Sequence, residues 1–360
     1  MFFENIQGND IYNVAPNPPF SNSPLLYNTS LDNPGGGTAT INPSSIVSYD
    51  PRYLQPYTNE WNFGIERQFN PKTIFSLMYV GSKSTHQQFS RNINQPTAPV
   101  PSGVNINQAR PYLGYAGFTW YENSVNSNYN SLQASLRFSN WHGLTSGVAY
   151  TYSHCLDFQD NDNAGDNNNA YNLAQDYGNC SYDIRHMLVI NYVYNLPFFN
   201  NATGAKRAFL GGWQLSGITT FYSGLPLTIG YSGDPAHCGC GSYRADLIGN
   251  ANNGPKTVAE WFNTAAFAPV PDGEFGNSAR NNVYGAGINN WDISLFKNFA
   301  GIPFPGNHEG ATLQVRLETF NTFNTTQFNA FSTNQTSGNF GHATGTRLPR
   351  EIQLGAKFMF

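Results

Sequence analysis

The last eleven residues are Arg350-Glu351-Ile352-Gln353-Leu354-Gly355-Ala356-Lys357-Phe358-Met359-Phe360, and their alternation decides the fold. Ile352, Leu354, Ala356, Phe358 and Phe360 share one parity, and Gln353, Gly355 and Lys357 share the other. Successive side chains of a β-strand point to opposite faces. This run is therefore a strand with one face for an apolar medium and one for a polar medium. It stops on an aromatic ring with no polar tail, an ending that soluble enzymes rarely make.

The same alternation recurs upstream. The sequence predicts strands over about 58–69 (Trp61, Phe63, Ile65 and Phe69 against Asn62, Gly64 and Glu66) and about 73–81. Others are predicted over about 129–139 (Leu132, Ala134, Leu136 and Phe138 against Gln133, Ser135 and Arg137) and 144–154. Leu188, Ile190, Tyr192 and Tyr194 mark a further strand, and Trp213, Leu215 and Phe221 another. Strands at about 290–299 and 311–321 precede the final one; in the latter Leu313, Val315 and Leu317 oppose Gln314, Arg316 and Glu318. That makes about nine strands, each long enough to cross a bilayer when tilted. The connections alternate short and long, with long ones expected at 82–128, 155–184, 224–289 and 322–348. Trp61, Trp141, Trp213 and Trp291 fall near strand ends, where interfacial aromatics sit.

Composition points the same way. Of 360 residues, 11% are charged, about half the share of an ordinary soluble domain, while 15% are aromatic. No apolar run reaches the 18 residues of a helical membrane span. The net charge of −4 provides no basic surface for nucleic acid, so that partner is excluded. The expected fold is all-β: an antiparallel meander forming the C-terminal portion of a large transmembrane β-barrel of the bacterial outer membrane. Lipid is its immediate partner. The barrel-assembly machinery would read the final strand through Phe358 and Phe360. Sandwiches and propellers also alternate apolar and polar residues. The low charge, the loop asymmetry and the terminal Phe360 favour the barrel, and no 40–50-residue repeat supports a propeller.

Residues 1–57 are rich in Pro, Asn and Gly and read as an extended loop region, with the barrel segment over 58–360. Met1–Asp10 has no cationic start, apolar core or cleavage site, so the chain reads as having lost its front. Single-chain bacterial barrels have even strand numbers, so nine strands imply an incomplete barrel, an open half-cylinder that fails to insert stably by itself.

The ordered motifs resemble a known family. Tyr57-Thr58-Asn59-Glu60-Trp61-Asn62 opens the series, with Arg67 following. Asp183-Ile184-Arg185-His186, Gly212-Trp213-Gln214-Leu215-Ser216-Gly217 and Ser223-Gly224-Leu225-Pro226 come next. Then follow Trp261-Phe262-Asn263, Phe275-Gly276-Asn277-Ser278-Ala279-Arg280-Asn281, Trp291-Asp292-Ile293-Ser294-Leu295-Phe296-Lys297 and Glu318-Thr319-Phe320-Asn321-Thr322-Phe323-Asn324. Over about 57–360 this series is similar to the C-terminal barrel region of Oar-like TonB-dependent receptors. The resemblance implies the barrel part of a receptor that imports a bulky nutrient, such as one derived from carbohydrate or peptide. Family members also carry a signal, a plug and a TonB-contacting segment, none of which is visible here, so TonB would engage only through a missing N-terminal region. The other class of function compatible with the sequence is a surface adhesion or ligand-binding protein without active transport; a passive pore is a third.

Four cysteines, Cys155, Cys180, Cys238 and Cys240, lie in predicted outside loops. An even count in an oxidising compartment makes them disulfide candidates, with Cys155 and Cys180 the expected pair. His237-Cys238-Gly239-Cys240 also reads as a metal half-site, but it lacks a fourth ligand. Asp160-Asn161-Asp162-Asn163-Ala164-Gly165-Asp166 resembles a calcium loop, yet Ala164 and Tyr171 stand where oxygen ligands belong, so a solvated loop fits better. No metal site or cofactor is therefore assigned. Glu66, Arg137, Arg316, Glu318 and Lys357 are candidate lumen-facing residues that could line a substrate path, although lumen positions are polar in any barrel. No zincin, nucleophile-elbow or phosphate-loop pattern occurs, and the chain does not read as an enzyme.

Overall fold

The computed structural model describes residues 24–27, 38–41, 44–113, 115–160, 167–241, 243–304 and 307–360. The longer strands of its main sheet are β1 (Ser44–Tyr49), β2 (Tyr57–Asn70), β3 (Thr73–Asn92), β4 (Tyr115–Trp141), β5 (Leu144–Asp157), β6 (His186–Asn195), β7 (Trp213–Tyr222), β8 (Ile288–Phe304), β9 (Asn307–Phe320) and β10 (Glu351–Met359), and the two-residue strand Gly178–Asn179 pairs beside β5. From β2 to β10 each strand pairs antiparallel with the next in the chain, giving a nine-stranded meander without crossovers.

Short turns join the strands at one end, except between β6 and β7, where the 196–212 connection holds the helix Gly204–Leu210. Asn70 Oδ1 accepts the Lys72 N–H at 2.9 Å to close the β2–β3 turn. The β4–β5 turn has Asn140, His142 and Gly143 at positive φ. A Cβ on Gly143 would lie 2.9 Å from the Asn195 carbonyl oxygen, so both φ and space require glycine. Long connections leave the other end. The alternation follows the expected pattern, but the lengths differ. The connection expected at 82–128 shrinks to 93–114, because β3 and β4 stay paired as far as Asn92 and Thr119. Beyond Gly81 this ribbon carries polar residues on both faces (Ser82, Lys83, Ser84, Gln87, Gln88). This part of the ribbon packs against the protein's own loops, with Phe89 fully buried beside Phe158, so no lipid-facing alternation is needed, yet backbone pairing persists.

Directly paired residues of an antiparallel sheet share a face. One face carries the row Phe75–Leu136–Val148–Ile190–Thr219–Trp291 and the row Leu215–Leu295–Leu317–Leu354. The opposite face carries Glu66–Ser76–Ser135 and Ser294–Glu318–Gln353. Phe63 is 75% exposed and Leu354 77%. Among the described residues no layer covers the apolar face, which argues against a sandwich, since that fold buries one face of each sheet. Trp61, Trp141, Trp213 and Trp291 share the parity of the apolar face.

The protein-enclosed core lies in the long connections instead. Ile229, Ala245, Ala251, Phe262, Ala266, Phe267 and Val283 pack together, with Leu227, Leu247, Trp261 and Phe340 against them. Within the stretch expected as extended loop, Pro24–Tyr27 pairs with Thr38–Ile41, and β1 pairs parallel with the start of β4. The sheet is not closed: among the described residues β2 pairs only with β3 and β10 only with β9.

Candidate functional site

At the long-loop end two connections are stitched into a cap. Cys155 at the end of β5 is disulfide-bonded to Cys180, and Asp183 Oδ1 accepts the Cys155 N–H at 2.8 Å. The 158–185 connection is thereby folded back onto β5. Arg280, from the 223–287 connection, reaches into it. Its guanidinium pairs with Asp157 and with Asp160 (3.2 Å), and its Nε donates to the Asp176 carbonyl at 3.0 Å. Arg244 pairs with Asp176 and donates to the Gln175 carbonyl at 2.8 Å. Asn168 bridges the same elements, donating to the Gly276 carbonyl and accepting the Arg244 N–H. Both arginines are almost fully buried. Burial pushes the Arg280 pKa down to about 10, which leaves it charged at neutral pH between its carboxylates.

The motif residues turn out to be the builders of this end of the molecule. Asn281 (φ 53°) exchanges hydrogen bonds with Thr228 and with the backbone of Asn179. Arg185 pairs with Asp183 and donates to the Tyr284 hydroxyl at 3.2 Å. Asn321 (φ 48°) donates its backbone N–H to Asp292 Oδ1 at 2.9 Å, while its side chain holds Thr325. The Trp291 ring packs edge-on to Phe323. Two distant motif segments thus make a single turn at the top of β8 and β9.

Below that turn is a pocket of about 640 Å³. Its wall comes from the polar face of four strands: Tyr222 of β7, Asn290 and Asp292 of β8, Phe320 of β9 and Glu351 of β10. Its roof is the 321–350 connection, through Gln327, Asn329 and Arg347. Arg347 donates to the Tyr222 hydroxyl at 2.8 Å. A second, smaller pocket of about 360 Å³ lies beside β2, between Tyr53, Tyr57, Gln87, Gln88 and Asn123.

The sequence-predicted residues fall as follows. Glu66, Arg137, Arg316, Glu318 and Lys357 are all on the polar face by register. Only Arg316 and Glu318 form an ion pair, at 3.7 Å. Glu66 and Arg137 stand toward the opposite edge of the sheet, so the five do not converge on one site. Phe358 and Phe360 share the apolar face, their ring centroids 6.1 Å apart. Cys238 and Cys240 are bonded to each other, which removes both thiolates from any metal half-site, and His237 Nε2 contacts Asp272 instead. The suggested calcium loop lies outside the described residues except for Asp160, whose two carboxylate oxygens are taken by the Ser181 N–H and Arg280. Cys155, Asp157 and Cys180 cluster, but the two sulfurs form the disulfide. The sequence gives no sign of Arg244 and Asp176, of the pairing of Arg280 with Asp157 and Asp160, or of the pocket. Arg280 and Asp157 are 123 positions apart, and no local pattern announces such a pair.

Comparison with protein families matches residues 1–353 to the outer membrane beta barrel domain. Among curated proteins none matches the chain. Among solved structures the chain is similar to the outer membrane transporter YddB from Escherichia coli, with 10% identity and a TM-score of 0.46 over 89% of this chain and 35% of that one. It is similar to the ferric citrate transporter FecA, with 11% identity and a TM-score of 0.39 over 84% of this chain and 31% of that one. A third likeness is to P. aeruginosa FpvA bound to heterologous pyoverdines, with 10% identity and a TM-score of 0.40 over 84% of this chain and 27% of that one. The chain spans about a third of the length of these structures.

Proposed function

Because this chain belongs to the outer membrane β-barrel family and lies in the bacterial outer membrane, we propose that it is the C-terminal barrel wall and mouth of a TonB-dependent receptor that imports a bulky nutrient. The observation that carries this reading is the folded cap at the mouth. A pore that only passes small solutes needs no cored outer structure, whereas a receptor must hold a ligand above its channel. The polar face of β7 to β10 forms one wall of a roofed pocket, so a ligand held there lies against the lumen side of the sheet. The ordered motifs from Tyr57 to Asn324 support the same family of receptors. Energy coupling through TonB would pass through a part of the receptor other than these strands. Phe358 and Phe360 would present the final strand to the assembly machinery.

A second reading, surface adhesion, is favoured by the exposed apolar side chains of the cap, Tyr182, Ile248 and Val258 among them. One experiment separates the two. The gene is deleted in its own host, and growth on a panel of bulky nutrients is compared with that of a strain lacking TonB. A receptor predicts a growth defect on at least one nutrient that loss of TonB reproduces. Loss of surface attachment with no growth defect on any nutrient would support adhesion and reject import.

A further inference from the structure

We propose that the pocket under the 321–350 connection binds a short, neutral oligosaccharide. The inference rests on the receptor reading above and names the substrate class at its mouth.

Asp292 starts a hydrogen-bond relay in the pocket wall. Its Oδ1 accepts the Asn321 backbone N–H and the Asn290 Nδ2–H, each at 2.9 Å. An ionised carboxylate only accepts, so it turns the Asn290 amino group toward itself and leaves the Asn290 carbonyl facing away. That carbonyl in turn accepts the Gln327 Nε2–H at 3.0 Å. The relay fixes the orientation of both amides and ends on Gln327 Oε1, a buried acceptor with no donor among the described residues. Gln327 itself is 6% exposed and lines the pocket. The oxygen has almost no accessible surface, so a ligand hydroxyl meets it when the Gln327 side chain shifts toward the pocket, and a buried acceptor without a donor favours that shift.

The rest of the lining narrows the ligand. Phe320 belongs to the polar face, yet it is an apolar ring and 44% exposed. With Leu348 next to it in the lining, it offers a flat surface for the C–H face of a sugar ring. Asn329 and Glu351 are exposed around it and present an amide and a carboxylate to vicinal hydroxyls. Two carboxylates, Asp292 and Glu351, stand against one guanidinium, Arg347, so an anionic chelate meets net repulsion. A purely apolar ligand would bury these polar groups without partners. The volume falls in the range of about 300–1,000 Å³ that encloses a small molecule, which suits a few sugar units and not a polymer.

The test uses intact host cells carrying the protein in their outer membrane. The probes are fluorescent neutral trisaccharides of gluco, manno, galacto and xylo units. At least one should bind saturably. Gln327→Met and Glu351→Gln, both close to isosteric, should each weaken its binding about tenfold, the effect of losing one good hydrogen bond. Gln88→Ala, in the other pocket, should leave binding unchanged. If no trisaccharide binds while TonB-dependent growth on another nutrient persists, the oligosaccharide assignment is overturned and the receptor reading stands. If a trisaccharide binds but both variants bind it like wild type, the pocket assignment is overturned. If binding is variant-sensitive but no TonB-dependent accumulation follows, the sugar site stands and the receptor reading fails.

Discussion

At the scale of single residues, Arg280 holds the cap together. It joins the 223–287 connection to Asp157 and the backbone of Asp176, both buried, and to the exposed Asp160. Removing one partner of a buried ion pair leaves the other charge stranded, at about 3–5 kcal/mol. Arg280→Ala should therefore loosen the cap without unpairing the sheet, measured as faster hydrogen exchange confined to 158–185 and 223–287. Tyr243 gives a second residue-scale expectation. Burial, with Asp234 beside it, raises its pKa above the ordinary value. A phenol whose folded pKa is raised stabilises the fold fully below the unfolded pKa of about 10 and loses that contribution as pH rises beyond it. The Cys238–Cys240 loop should thus stay closed at neutral pH and open in strong alkali, with Tyr243 ionising later than the exposed tyrosines in an ultraviolet titration. Of these residues the cysteines were legible, because an even count in outside loops announces disulfides. Arg280 was visible only as a motif letter. Its partners stand more than a hundred positions away and are brought near by folding alone.

At the scale of elements, strand identity was legible wherever one face meets an apolar medium. The alternation in β2, β4 to β7 and β10 is a direct consequence of that contact. It fails where strands pack against the protein's own loops instead of lipid, which is why the β3–β4 ribbon beyond Gly81, with Phe89 buried, and the parallel β1, with Ile46 buried, went unread. The cored cap was hidden for a different reason. Its strands are only two residues long, too short for a period to show, and its core residues from Ile229 to Val283 are scattered through Gly- and Asn-rich sequence. Two element-scale outcomes follow. The Cys155–Cys180 bond closes a loop of sequence separation 25, and a bond of this kind contributes about 2–4 kcal/mol. Cys180→Ser should make the 158–185 connection the first site cut by protease on intact cells, while the sheet remains protected. Removing Phe360 should lower the amount of protein reaching the outer membrane, measured by fractionation, and should leave the stability of the molecules that do arrive nearly unchanged. A fall in stability with normal delivery would assign the terminal ring to packing.

At the scale of the whole molecule, the sheet has two sides and two edges, and each makes a demand. An edge strand in hydrocarbon exposes N–H and C=O groups at several kcal/mol each, so β2 and β10 must pair with further strands in the membrane. Residues 44–360 refolded alone in detergent should aggregate and show no heat-modifiable band on electrophoresis. The faces make the central claim: lipid on one side of nine strands, water on the other. Its most direct test is cysteine-scanning accessibility on intact cells carrying the full protein, with single cysteines at Phe63, Leu132, Leu188, Leu215 and Leu354 against Gln133, Gln314 and Gln353. A water-soluble maleimide should label only the second set, and a lipid-borne quencher should reach a fluorophore only at the first. Labelling of both sets by the maleimide, or protection of both from maleimide and quencher alike, would place the leucine face against water or protein and contradict it.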